Sequence, residues 1–226
     1  MKRIDLYLQS ERLLTEEELL RCQSALERRA MGEPVAYIIG HVEFADTTIY
    51  VDPSVLIPRP ETELFVQRLA AFVEGDVWDV CTGSGAIGIA LKKAFPQLCL
   101  TLSDCASLVL ARKNAAHNKV DVTFLQGDLL EPFDGMCDVL VSNPPYIIDY
   151  EKLDREVREF EPRLALEGGY HFYERLAQEK KRVRKWICLE VGAGMGASVV
   201  EIFGGGWIER DWAGHDRFFF WNATFS

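Results

Sequence analysis

The six cysteines, at 22, 81, 99, 105, 137 and 188, include no C-x-x-C pair, and no apolar run approaches the roughly 18 residues that would cross a bilayer. Zinc ribbons, a disulfide frame and a membrane-spanning helix are therefore not expected. Cys81, Cys137 and Cys188 sit in or beside apolar runs and read as small core residues of a reduced protein. Met1–Ser10 carries no apolar signal core, so a soluble, cytoplasmic protein is expected. The four histidines, His41, His117, His171 and His215, are not at ligand spacing, and no metal is assigned. Positive charge is also scarce: 25 Lys and Arg face 35 Asp and Glu, for a net charge of -10. The densest basic stretch, Lys180–Lys185, is predicted to lie on the solvent side of a helix. A nucleic-acid partner is disfavoured, because phosphate neutralisation supplies most of such affinity.

There is no internal repeat or low-complexity segment, and the 226 residues allow one full core with a small appendage. Thr15-Glu16-Glu17-Glu18 is a capping box, and Leu19, Cys22, Leu26 and Ala30 follow at helical spacing until Gly32 and Pro34 stop it. This amphipathic helix needs a surface to pack on. Tyr37–Gly40, Val42–Phe44 and Thr48–Val51, broken at Ala45-Asp46, suggest a short hairpin closed by Ile57-Pro58-Arg59-Pro60. The expected division is 1–33 as a helical N-terminal region, 34–60 as a hairpin linker and 61–226 as the main domain. There, helices at 61–73, 86–94, 106–117 and 171–182 alternate with strands at 77–81, 98–103, 121–125, 137–142 and 186–191. Two more strands are expected near 206–211 and 217–223, with Trp207, Trp212 and Phe218–Trp221 as their core. Apolar strands with helices between them predict a doubly wound, mostly parallel α/β sheet covered on both faces.

The first strand of that domain runs into Cys81-Thr82-Gly83-Ser84-Gly85-Ala86-Ile87-Gly88, a glycine turn opening a helix. Such a turn lets backbone amides approach a ligand at a helix N-terminus, and its G-x-G-x-x-G spacing first suggests a dinucleotide. Asp104, ending the next strand, can accept from both hydroxyls of a ribose, which serves NAD and S-adenosylmethionine equally. Asp128 is placed to accept from an adenine amine, with Leu129 as an apolar floor. The fourth strand decides between them, since it ends in Asn143-Pro144-Pro145-Tyr146 and not in a nicotinamide-type pocket.

Two prolines fix φ and remove two amide donors, leaving carbonyls and one side-chain amide at a rigid point. That is an acceptor site. It suits a planar nitrogen, such as a primary amide or aromatic amine, whose full deconjugation would cost roughly 18 to 20 kcal/mol. The Asn143 side-chain oxygen and the Pro144 carbonyl can hold both N–H bonds and aim the nitrogen at a sulfonium methyl, with the Tyr146 ring against the planar group.

From about Thr15 onward the sequence resembles the HemK/PrmC family of release-factor glutamine methyltransferases. The resemblance rests on Gly32–Gly40, Glu43-Phe44, Val55–Glu63, Asp79–Gly85, Asn143–Ile147, Phe160-Glu161-Pro162 and Ala165-Leu166. It implies a Rossmann-like class I methyltransferase with a mostly parallel seven-stranded sheet, preceded by a short helical region and the hairpin linker. It implies S-adenosylmethionine contacts at Cys81, Thr82, Gly83, Ser84, Gly85, Asp104, Leu129 and Asn143. It also implies that Asn143, Pro144, Pro145 and Tyr146 hold the glutamine of a Gly-Gly-Gln motif in a peptide-chain release factor, with Phe44 and Arg59 lining the approach. Three departures stand out: Cys81 replaces the usual first glycine of the turn, Met195 stands where the family often has glutamine, and only about the last two helices of the N-terminal domain are present. Adenine-N6 methyltransferases share the Asn-Pro-Pro-Tyr loop and form the alternative reading. A ribosomal-protein glutamine substrate and a non-catalytic scaffold remain open beside it.

Overall fold

The computed structural model describes residues 11–225; the reading of Met1–Ser10, and with it the start of the 1–33 region, lies outside them. The capping box forms as the spacing requires. The Thr15 hydroxyl accepts from the Glu18 amide at 3.2 Å, and the Glu18 carboxylate accepts from the Thr15 amide at 2.9 Å. The helix Glu16–Ala30 follows, with acidic residues in its first turn and basic ones in its last. No residue of this helix is buried among the described residues, and Leu26 is 71% exposed. The surface that its apolar positions call for is thus not supplied by the described part of the chain.

Tyr37–Ile39 are not strand. Pro34 opens a short helix, Val35–Ile39, which Gly40 ends at a left-handed φ of 85°. Tyr37 turns inward, and its hydroxyl donates to the Val55 carbonyl at 2.6 Å. The hairpin itself is β1 (His41–Phe44) and β2 (Thr47–Tyr50), antiparallel, with its turn at Ala45-Asp46.

Seven further strands form one sheet: β3 (Asp76–Val80), β4 (Cys99–Asp104), β5 (Thr123–Gln126), β6 (Cys137–Ser142), β7 (Val183–Glu190), β8 (Trp207–Arg210) and β9 (Asp216–Asn222). Their order is β5-β4-β3-β6-β7-β9-β8, and only β9 runs antiparallel to its neighbours. The period of two sorts side chains to the two faces. Val77, Val139, Val141, Phe218 and Phe220 join the hairpin and the helices Pro60–Leu69 and Ala86–Ala94. Trp78, Val80, Leu140, Phe219 and Trp221 join the helices His171–Gln178 and Gly196–Phe203 on the other face.

Several boundaries differ from expectation. The helix expected over 106–117 begins at Val109, and that over 61–73 ends at Leu69. The basic run is not helical throughout: the helix ends at Gln178, Lys180–Arg182 is a 3-10 turn, and Arg184 and Lys185 lie on β7. Both reach the Asp138 carboxylate on the neighbouring β6, at 3.6 and 3.7 Å, which accounts for these charges lying on an interior strand. Trp212 lies in the turn between β8 and β9 and is exposed, unlike the buried Phe218–Trp221.

Candidate active site at the switch point of the sheet

Strand order reverses between β3 and β6, since the chain leaves β3 towards β4 on one side and later returns to add β6 on the other. A crevice opens beyond the carboxyl ends of strands at such a point. Here it receives the glycine turn after β3 and Asn143–Tyr146 after β6.

The glycine turn is held from beneath. Asp79 is fully buried; its Oδ2 accepts from the Thr82 hydroxyl at 2.6 Å and from the Gly88 amide at 2.9 Å. Gly88 has to be glycine, because a Cβ there would lie 2.8 Å from that oxygen. Burial pushes the Asp79 carboxyl up to about 7. Asp104 clasps the turn from the side: Oδ2 accepts from the Gly83 amide and Oδ1 from the Ala106 amide, each at 2.8 Å. Asn114 closes the third side, donating to the Ser84 carbonyl at 2.8 Å and exchanging hydrogen bonds with the Tyr50 backbone on β2. The hairpin is thereby pinned to the turn.

Two adjoining cavities result. The larger cleft encloses about 1040 Å³ of space, part of it open to solvent, and is lined by the turn, Asp104, Asp128, Leu129, Asn143, Pro145 and the segment Ser54–Leu56. The smaller is lined by Leu56, Arg59, Asn143, Pro144, Tyr146 and Leu166. Asn143 lines both. The larger cleft is mostly apolar with a few fixed polar groups, the character of a nucleoside-type ligand site.

The family model for the methyltransferase small domain matches residues 60–160, and that for the PrmC N-terminal domain matches residues 1–40. A release factor glutamine methyltransferase of Chlamydia trachomatis serovar L2 is 40% identical over 92% of this chain and 78% of its own length. One from Geobacter sulfurreducens is 38% identical over 90% and 76%. The chain belongs to the release factor glutamine methyltransferase family. Its fold also matches a solved methyltransferase of Pyrococcus furiosus, with a TM-score of 0.58 at 17% identity, over 91% of this chain and 98% of that one.

In this member of the glutamine methyltransferase family, eight of the nine expected cofactor residues line the larger cleft: Cys81, Thr82, Gly83, Ser84, Asp104, Asp128, Leu129 and Asn143. Gly85 does not. It lies behind the wall as the left-handed N-cap of the helix Ala86–Ala94, its amide turned to the Thr82 carbonyl at 2.8 Å. Asp128 has an unexpected partner, since Arg175 donates to its Oδ2 at 2.8 Å. Cys81 carries φ 59°, in the left-handed region that glycine adopts without strain.

Of the expected substrate residues, Arg59, Asn143, Pro144 and Tyr146 line the smaller cavity, while Pro145 faces the larger one. Phe44 does not line the approach. It is 2% exposed and belongs to the core between the hairpin and the sheet, because β1 turns it inward in step with Thr47 and Ile49. The sequence reading gave no role to Asp79, Asn114, Glu161 or Glu190, all buried. A detectable signal existed for two of them. Asp79 interrupts Val77-Trp78-Asp79-Val80-Cys81 and Glu190 interrupts Ile187-Cys188-Leu189-Glu190-Val191, and an acid inside an apolar run has to find partners on folding.

Proposed function

We propose that this protein transfers a methyl group from S-adenosylmethionine to the side-chain amide nitrogen, N5, of the Gly-Gly-Gln glutamine in a peptide-chain release factor. The observation that carries the reading is that Asn143 lines both cavities, so one amide side chain stands where donor and acceptor must meet. S-adenosylmethionine supplies a sulfonium methyl with a neutral thioether as leaving group. The chain supplies the larger cleft for it: the backbone of Cys81–Ser84, the Asp104 carboxylate for the ribose hydroxyls, and Asp128 with Leu129 for the adenine. Asp104 arrives oriented, since two backbone amides already hold one lone pair of each of its oxygens.

The smaller cavity takes the glutamine side chain. The Asn143 Oδ1 and the Pro144 carbonyl accept its two N–H bonds, which keeps the amide planar and turns its nitrogen toward the methyl. Tyr146 packs against the amide plane and Arg59 stands at the mouth. Such alignment can contribute several of the roughly 8 or more kcal/mol an enzyme must supply. The alkylated nitrogen then loses a proton to restore the neutral amide, a step that needs no strong base. We further infer that 34–60 acts as a strap over the domain 61–226, which follows a short helical region, 1–33, and that the enzyme works in the cytoplasm, where scattered free thiols are stable.

The test offers radiolabelled methyl donor with three acceptors: a release factor carrying Gly-Gly-Gln, the same factor with that glutamine changed, and single-stranded DNA. Label on the first alone is expected. Label on DNA would replace the glutamine reading by an adenine-N6 one.

A further inference from the structure

Glu190 closes β7, is 1% exposed, and has no part in the chemistry described above. Its two oxygens accept from hydroxyls on segments remote in sequence. Thr62 donates to Oε2 at 2.8 Å, and Tyr146 donates to Oε1 at 3.2 Å. Its backbone carbonyl accepts from the Tyr173 hydroxyl at 2.9 Å. Thr62 lines the larger cleft and Tyr146 the smaller, so this carboxylate bridges the walls of both. Arg217 on β9 faces the pair as the nearby positive charge and is itself held by Asp211 at 3.1 Å, while Glu61 adds a like charge. The Tyr146 ring is boxed as well: a Cβ on Gly192 would stand 3.2 Å from its Cδ2 and 2.7 Å from the Met195 sulfur.

A buried carboxylate is a poor way to gain stability, since apolar residues of similar volume do as well or better in such places. What the group supplies here is direction: two acceptors at fixed points for two hydroxyls. Without it the Tyr146 phenol would have no buried acceptor, and its ring could turn about χ1 and χ2 into the smaller cavity.

We propose that Glu190 is the positioning residue of the reacting loop, fixing the Tyr146 ring at the wall of the acceptor pocket and tying it to Thr62 on the segment that walls the methyl-donor cleft. The proposal rests on the glutamine reading above.

The test compares Glu190→Ala, Glu190→Gln, Thr62→Val and Tyr146→Phe in the full chain, with release factor as acceptor and hydrogen exchange at Tyr146 and Ile147 as a readout independent of activity. Glu190→Ala should lower kcat by about 10- to 100-fold, while the dissociation constant for S-adenosylmethionine moves by less than about 3-fold. Glu190→Gln, which keeps an acceptor and gains a donor, should recover most of the loss. Combining Glu190→Ala with Tyr146→Phe should be no worse than the larger single effect, the mark of residues acting as one unit. Exchange at Tyr146 and Ile147 should quicken in Glu190→Ala and Thr62→Val.

If Glu190→Ala fails to fold, Glu190→Gln and Thr62→Val carry the comparison through kcat and exchange. Effects that multiply in the double variant, or a loss lying wholly in cofactor affinity, would overturn the proposal. Quickened exchange in an enzyme that labels no glutamine would leave the positioning role standing and remove the glutamine reading. Normal labelling with unchanged exchange and turnover would do the reverse.

Discussion

Arg59 and Glu161 form an ion pair across 102 residues of sequence, with the Glu161 side chain almost wholly buried and that of Arg59 one-third exposed. The other Glu161 oxygen accepts from the Ile57 amide at 3.1 Å. The proline-framed segment is thus fastened by Glu161 through both Ile57 and Arg59, and the helix that follows it is tied to Glu190 through Thr62. Both fastenings join residues more than 100 positions apart in the sequence.

Removing the carboxylate should therefore be costly. Glu161→Ala leaves a buried backbone amide without its acceptor and a part-exposed guanidinium without its partner, a loss of about 1 to 3 kcal/mol. Urea unfolding is expected to show a lower midpoint with an unchanged slope. Glu161→Gln, which can still accept from Ile57, should lose clearly less. Equal losses in the two variants would mean that the charge pair, and not the amide contact, fastens the segment.

Asn143 makes a separate prediction because it lines both cavities. Asn143→Ala should bind S-adenosylmethionine almost as well as the parent but turn over on the order of 10²-fold more slowly, as when one preorganised polar partner is removed from a reacting centre. Calorimetry and single-turnover methyl transfer separate the two effects. Unchanged turnover would remove Asn143 from the chemistry.

Asp104 should behave in the opposite way. Its oxygens hold Gly83 and Ala106 in addition to facing the cleft, so Asp104→Ala both loosens the turn and withdraws the ribose acceptors. A loss of cofactor affinity of about 10-fold or more is expected, that being the worth of roughly 1.4 kcal/mol, with saturating donor restoring most of kcat. Intact binding with abolished turnover would show that Asp104 serves the reaction and not the cofactor.

The sheet and the cleft were legible in the sequence because their signals are local. Apolar runs marked β3, β4 and β6, the glycine spacing marked the turn, and the paired prolines marked the reacting loop. What stayed hidden depends on contacts between distant segments. That Phe44 points into the core follows from hairpin register against the sheet, and that Arg175 meets Asp128 follows from how the helix His171–Gln178 lies beside the loop after β5. The helix at Val35–Ile39 was hidden differently. Four of its five residues are β-branched or aromatic and favour a strand by propensity, and the caps Pro34 and Gly40 override them.

Cys81 at φ 59° allows a test of how the turn is built. A non-glycine residue in this region carries a strain of about 1 kcal/mol or more, and glycine relieves it while adding freedom to the unfolded chain. Cys81→Gly should thus be neutral or more stable by up to about 1 kcal/mol, with cofactor affinity unchanged if only the backbone meets the ligand. Paired thermal melts with and without S-adenosylmethionine read both quantities. A loss of affinity would show that the thiol itself contributes to the cleft.

Asp79 sets the pH dependence of the glycine turn. Burial raises its carboxyl from 3.8 to about 7, against the opposing hydrogen bonds from Thr82 and Gly88 and with a smaller push from Asp104. A raised carboxyl binds its proton more tightly in the folded state, so its contribution to stability is complete below the unfolded value. It is then lost as pH climbs from about 4 through 7. Asparagine has nearly the same shape, can still accept from Thr82 and Gly88, and has no proton to lose. The stability of Asp79→Asn relative to the parent should therefore improve between pH 5 and about 7 and level off above it, read from urea midpoints at several pH values. Glu190, also raised to about 7 by burial, is present in both proteins and cancels in that difference. Parallel curves for the two proteins would mean that Asp79 is ionised across the range, with water reaching the oxygen that has no partner, Oδ1.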